Sequence, residues 1–179
     1  MRVEEHEEET SQGKEVVAQA VVVRQAESTR FSMPMPLPRV HSQMDPTLIQ
    51  AYRQAEYRVL GDEPMVLRID VASAPLAGLH RTLNVDCSAF ITAWNPLSQL
   101  TPASVNRARH GQLAADMAAR GLYAIEAIGV DPAGHWPDEP GYLVPGLSEQ
   151  DARQTGRRYG QNAVVWAGSE ATPRLILLR

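Results

Sequence analysis

The chain has 179 residues, 44% of them hydrophobic, and a formal charge of −4. That length supports one domain with a true core plus a tail, and is too short for two comfortable domains. Met1 to Glu15 carries six glutamates against Arg2 and Lys14, which leaves fifteen acids balanced by fifteen arginines, so the remainder is neutral. This argues against bulk attraction to nucleic acid or to an anionic membrane.

Cys87 is the single cysteine, so an internal disulfide and a multi-cysteine zinc site are excluded, and a reducing compartment fits. No run approaches the roughly 20 apolar residues that span a bilayer. The glutamate-rich start lacks the basic region and apolar core of a secretory signal. The expectation is a cytoplasmic protein without membrane contact.

In chain order, residues 1–43 read as an acidic, disordered tail and a proline-rich linker, and 44–179 as a single α+β domain. Met1 to Gln12 has too little apolar surface to order itself. Val16, Val17 and Val21 to Val23 suit an edge strand or a segment docked on a protein partner. Met33-Pro34-Met35-Pro36-Leu37-Pro38 favours an extended path, used as a spacer or as a ligand for an aromatic groove.

Asp45-Pro46 opens a helix bearing Leu48, Ile49 and Tyr52 up to about Ala55. A hairpin follows, from Glu56 to Leu60 and from Met65 to Ile69. Ser73 caps a helix with Leu76, Leu79 and Leu83 on one face, ending at Asn84. Ala89 to Trp94 is a buried strand broken by Asn95-Pro96, and Thr101-Pro102 reads as an N-cap with proline at the first helical position. That helix runs to about Arg120, with Leu113, Ala114, Met117 and Ala118 on its apolar row and Gly121 past its end. Counting back along the row gives His110, Arg109 and Asn106, so the face turns polar near the helix N-terminus, where free N–H groups suit a carboxylate or phosphate. Arg109 equally fits an internal ion pair with Glu126 or Glu139, and Asn106 a bond to the Asn95 loop; both readings stand.

Tyr123 to Val130 is the next strand, with Tyr123, Ile125 and Ala127 on one face and Glu126 on the other. The turn Asp131 to Gly134 and the loop His135 to Gly141 precede a returning strand, Tyr142 to Val144. Glu139 beside Trp136 is the candidate general acid or base, provided burial raises its pKa. A lone His135 has no ligand-spaced partner, so no metal set emerges. Ser148 caps the last helix with Asp151 at the capping-box position, Gly160 ends it, and Ala163 to Trp166 and Arg174 to Leu178 form a second hairpin. Gln161 and Asn162 sit at its start, where apolar residues would be cheaper.

TAWNP at 92–96, NRAR at 106–109, GHWPDEP at 134–140 and YGQNAVVW at 159–166 occur in this order. Together they resemble the bacterial family called domain of unknown function 3293, over roughly Tyr52 to Leu178. The chain departs from the pattern at Leu97-Ser98, where members tend to have a glycine close behind Asn-Pro, and at Val105, where a glutamate often precedes the asparagine. The resemblance names neither an activity nor a cofactor.

The fold expectation is a mixed, largely antiparallel sheet with about four flanking helices, and a right-handed βαβ unit made of the Phe90 strand, the next helix and the Tyr123 strand. Two functions are compatible. In one, Asn95, Asn106, Arg109, Trp136, Glu139, Gln161 and Asn162 line a pocket for a small polar or anionic ligand, with Arg109 paired to Glu139 or to that ligand. In the other, the protein is a non-catalytic interaction module, holding a partner through its N-terminal tail, and the same residues are internal struts.

Overall fold

Three hairpins and one lone strand build the sheet. The computed structural model describes residues 44–179; the expectations for the acidic tail, the Val16 to Val23 segment and the proline linker lie outside the described residues. In order come α1 (Pro46–Gln54), β1 (Glu56–Val59), β2 (Met65–Leu67), α2 (Ala74–Leu83), β3 (Ser88–Thr92), a 3₁₀ turn (Pro96–Ser98), α3 (Ala103–Ala119), β4 (Ile125–Val130), β5 (Glu139–Pro145), α4 (Glu149–Arg158), β6 (Ala163–Ala167) and β7 (Arg174–Leu177). The seven strands lie in the order β2-β1-β4-β5-β3-β6-β7. Hairpins β1–β2, β4–β5 and β6–β7 are local, and β3 is inserted between the second and third.

Every adjacent pair is antiparallel, so the sheet contains no directly paired parallel strands and is not mixed. The expected βαβ unit is split. β3 and β4 each pair antiparallel with β5, which sets them parallel to each other with β5 between them. The physical reason is local closure: β4 turns straight back into β5, and this short-range pairing occupies the edge that a parallel β3 would have needed.

Both sheet faces are covered, which explains why Ser88 to Ile91 are all buried rather than alternating. Phe90, Leu143, Ile125, Val165 and Tyr57 pack with Leu76 of α2 on one face. Ala89, Ile91, Tyr142, Val144 and Val164 pack with Leu113 and Met117 of α3 and Ala152 of α4 on the other. At Gly141 the two central strands come close: an added Cβ would lie 2.8 Å from the Ile91 carbonyl oxygen and 2.9 Å from the Phe90 ring.

The capping chemistry read from the sequence holds for three helices. Asp45 accepts from Thr47 N–H, Ser73 from Leu76 N–H and Ser148 from Asp151 N–H, and α2 ends on Asn84 in the left-handed region. Three local expectations change. Thr101 is not the cap of α3; its hydroxyl donates to the Gln99 carbonyl, and Pro102 precedes the helix without a side-chain cap. Leu83 is exposed while His80, four residues after Leu76, is buried with Nε2 3.0 Å from Ser88 Oγ. The α2 face is centred one position away from the leucine count. Tyr123 is exposed and β4 begins at Ile125. No helix among the described residues is long and apolar enough to cross a membrane.

Candidate functional site

The C-terminal end of β3 and the N-terminal end of β5 lie side by side, with Thr92 opposite Gly141. This register brings the Asn95 loop to Glu139, the first residue of β5. Glu139 Oε1 accepts two hydrogen bonds, from Trp136 Nε1 at 2.7 Å and from Asn95 Nδ2 at 2.8 Å. Oε2 has no partner among the described residues, nor is it one of the sealed, unpartnered atoms, which are His80 Nδ1 and His110 Nδ1. Burial pushes the Glu139 carboxyl above its ordinary range, against the opposing pull of the Asn95 and Trp136 donors. Both donors are neutral, so they stabilise the carboxylate less than an arginine would.

Each donor is itself fixed. Asp131 Oδ2 accepts from the His135 and Trp136 backbone N–H groups at 2.8 and 3.1 Å, folding the loop so that the indole points back to Glu139. These bonds, led by that from Ala133 N–H, hold the Asp131 carboxyl below its usual value. Asn95 is buried and exchanges bonds with the buried Asn106: its N–H donates to Asn106 Oδ1 at 3.0 Å, and Asn106 Nδ2 donates to Asn95 Oδ1 at 2.9 Å. Asn106 Nδ2 also reaches the Thr101 carbonyl, and Thr101 N–H donates to Asn95 Oδ1. The polar end of the α3 face therefore orients the amide that holds the carboxylate.

The loop after Asn95 is strained. Asn95, Leu97 and Ser98 have φ of 42°, 59° and 54°, a region where leucine and serine cost about 1 kcal/mol or more each. Leu97 N–H donates to the Gly160 carbonyl at 2.8 Å, and Gly160, with φ of 71°, sits against Pro96. Ser98 Oγ lies 2.6 Å from the Tyr52 hydroxyl, and Asn162 Nδ2 donates to Ser98 Oγ at 3.1 Å, so α1 is tied to this loop.

Arg109 does not do what the sequence suggests. Its Nε donates to the Ala93 carbonyl at 3.0 Å and its Nη2 to the Tyr159 carbonyl. It forms no ion pair with Glu139 or Glu126; Glu126 instead faces His110, at 3.4 Å. The guanidinium reaches the start of the Asn95 loop but not the Trp136 to Glu139 loop. The free carbonyls where β3 and α4 end outcompeted a carboxylate, because both chain ends need donors. Gln161 Nε2 acts similarly, donating to the Trp94 carbonyl at 3.0 Å.

A cavity of about 870 Å³ opens beside this network, within the range of small-molecule pockets. Trp136, Glu139 and Gln161 line it; Asn95, Asn106, Arg109 and Asn162 stand behind it. Tyr52 and Ala51 of α1, Tyr57, Phe90 and Ser98 complete much of the wall. Sequence reasoning placed Tyr52 on a packing face and missed Tyr57 and Ser98 as site residues. Tyr52 lies 46 positions from Ser98 and Asn162 lies 64, so no local spacing signals their meeting. α1 buries no residue fully and covers the cavity as a loosely packed wall.

Fold and site together define an α+β protein with a half-bonded carboxylate lining a cavity that four aromatic side chains share. The model of the family described as "Protein of unknown function (DUF3293)" matches residues 91–164, so that stretch is similar to this family. The match is narrower than Tyr52 to Leu178, yet it contains all seven residues singled out from the sequence, while Tyr52, Tyr57 and Phe90 lie outside it. Neither the curated proteins nor the solved structures include a match to this chain.

Proposed function

We propose that the protein binds a small molecule with an apolar body in the cavity under α1, and that Glu139 is the group that orients it and exchanges a proton with it. One observation carries this reading: Glu139 Oε1 is fixed by Trp136 and Asn95, while Oε2 has no partner among the described residues and the side chain lines the cavity. An acceptor oxygen left open on the cavity side is free to take a donor from water or from a ligand. Burial pushes the Glu139 carboxyl above its ordinary range, the direction that favours its holding a proton. Strain in the adjacent loop supports the same location, since such conformations concentrate at functional sites.

The interaction-module reading retains part of the network. Asn106 and Arg109 bond only to the protein's own groups and behave as struts. The ligand is accordingly assigned to Trp136, Glu139 and Gln161, with Asn95 and Asn162 positioning the walls.

The test is a small-molecule library screened by ligand-observed NMR against wild type and Gly129→Leu. Gly129 lines the cavity, and a Cβ there makes only ordinary contacts, 3.7 Å to Phe90 and 3.8 Å to the Glu139 carbonyl. The variant should fold and lose the hits. Hits that bind both proteins equally would place binding elsewhere and overturn the proposal.

A further inference from the structure

We infer that the ligand is an organic cation, a primary or secondary ammonium on an apolar or aromatic body, with its N–H groups donating to Glu139 Oε2. This rests on the cavity reading above and narrows its substrate class. The first support is the wall. Tyr52, Tyr57, Phe90 and Trp136 all contribute to it. Aromatic rings attract ammonium groups through their π systems, so four of them in one lining favour a cation over an anion.

The second support is the charge balance at Glu139. No arginine or lysine lines the cavity among the described residues. Nearby guanidiniums are engaged elsewhere: Arg53 with Asp70, Arg58 with Glu56, and Arg109 with the Ala93 and Tyr159 carbonyls. His135 also lines the cavity, but it is exposed and sits on the loop held by Asp131. Glu139 is therefore a half-buried carboxylate met only by neutral donors. A carboxylate in such a place gains most from a ligand that brings the missing positive charge together with hydrogen-bond donors. An anionic ligand, one of the two kinds the sequence suggested, would meet Glu139 without a cation to offset it. A neutral alcohol would satisfy the hydrogen bond and leave the charge uncompensated.

The apolar body follows from the same geometry. Phe90, Val165 and Leu175 add apolar side chains to the same lining. A ligand with its ammonium at Oε2 extends its carbon skeleton over these side chains and beneath Ala51 and Tyr52.

The experiment is isothermal titration of the full chain with three matched probes: 2-phenylethylammonium, 2-phenylethanol and phenylacetate. The ammonium should bind at least about tenfold more tightly than the alcohol, and phenylacetate most weakly. Glu139→Gln should cost the ammonium about tenfold or more and leave the alcohol nearly unchanged. Thermal melting of the variant checks its fold, and Trp136→Phe, which removes one donor from Oε1 and keeps a ring, should weaken the ammonium by a smaller factor. If the alcohol or phenylacetate binds as tightly as the ammonium, the cation is wrong and the cavity reading stands. If no probe binds and Gly129→Leu leaves every library hit unchanged, both fall.

Discussion

Arg109→Ala separates a strut from a ligand-binding cation most sharply. The guanidinium makes two charge-assisted bonds, to the Ala93 and Tyr159 carbonyls, and so fastens the end of β3 to the end of α4. Hydrogen bonds to charged groups contribute about 1.5–3 kcal/mol each. Because Arg109 is half-buried, water replaces part of what is lost, and the lower end of that range applies. Gln161 Nε2 stands 3.5 Å from the Tyr159 oxygen and gives it only a weak second donor. The expected loss is about 3 kcal/mol, a fall in melting temperature of roughly 10 °C for a domain of this size. Arg109→Lys places one compact ammonium where a fork served two acceptors, so it should lose about half as much. Thermal and urea unfolding of the three proteins measure this directly. An Arg109→Ala protein that melts within about 2 °C of wild type, yet no longer binds the ligand that wild type binds, would refute the strut and restore the arginine to the binding site.

Two further outcomes follow from the geometry. Burial raises the Glu139 pKa above its ordinary value of 4.5, so its contribution to stability is complete below that value and is lost as pH rises through the raised one. Glu139→Gln keeps an acceptor for Trp136 and Asn95 and never ionises; its melting temperature relative to wild type should rise as pH climbs above 4.5, and a flat or falling difference would contradict the burial. Gly141→Ala puts a Cβ 2.8 Å from the Ile91 carbonyl, a backbone atom that cannot swing away, and should cost about 1–3 kcal/mol and disturb the Phe90 wall of the cavity. Denaturant unfolding reads the first effect, and a wild-type midpoint would show that the strands have room to part.

The elements that could be read from the sequence are those with local causes. Ser73, Asn84, Ser148, Gly121 and Gly160 act within a few residues of themselves, and each marks a helix end as expected. The polar turn of the α3 face was legible for the same reason, since Asn106, Arg109 and Leu113 share one helical row. What those polar groups bond to was not legible. Arg109 finds carbonyls at Ala93 and Tyr159, and Glu139 finds Asn95, because the β3–β5 register aligns distant segments. Backbone acceptors carry no letter in the sequence, so a carboxylate was the only visible partner for a guanidinium. The split βαβ unit was hidden likewise: the strand between β3 and β4 comes later in the chain than both.

The lone strand β3 has a consequence for how the molecule assembles. Each of the three hairpins closes over a short loop, whereas Ser88 of β3 meets Pro145 on one side and Ala167 on the other, so every ladder bond of this strand waits on segments made much later. Such long-range pairing is slow, and its cost in chain entropy falls before its contacts form. β3 is thus the keystone, and the carboxylate clamp hangs from it: Asn95 reaches Glu139 only after β3 has slotted between two finished hairpins. A newly made chain could hold most of its secondary structure and still lack the clamp, since the Trp136 bond to Glu139 lies within one hairpin whereas the Asn95 bond, 44 positions apart, belongs to the last step of folding rather than to the first.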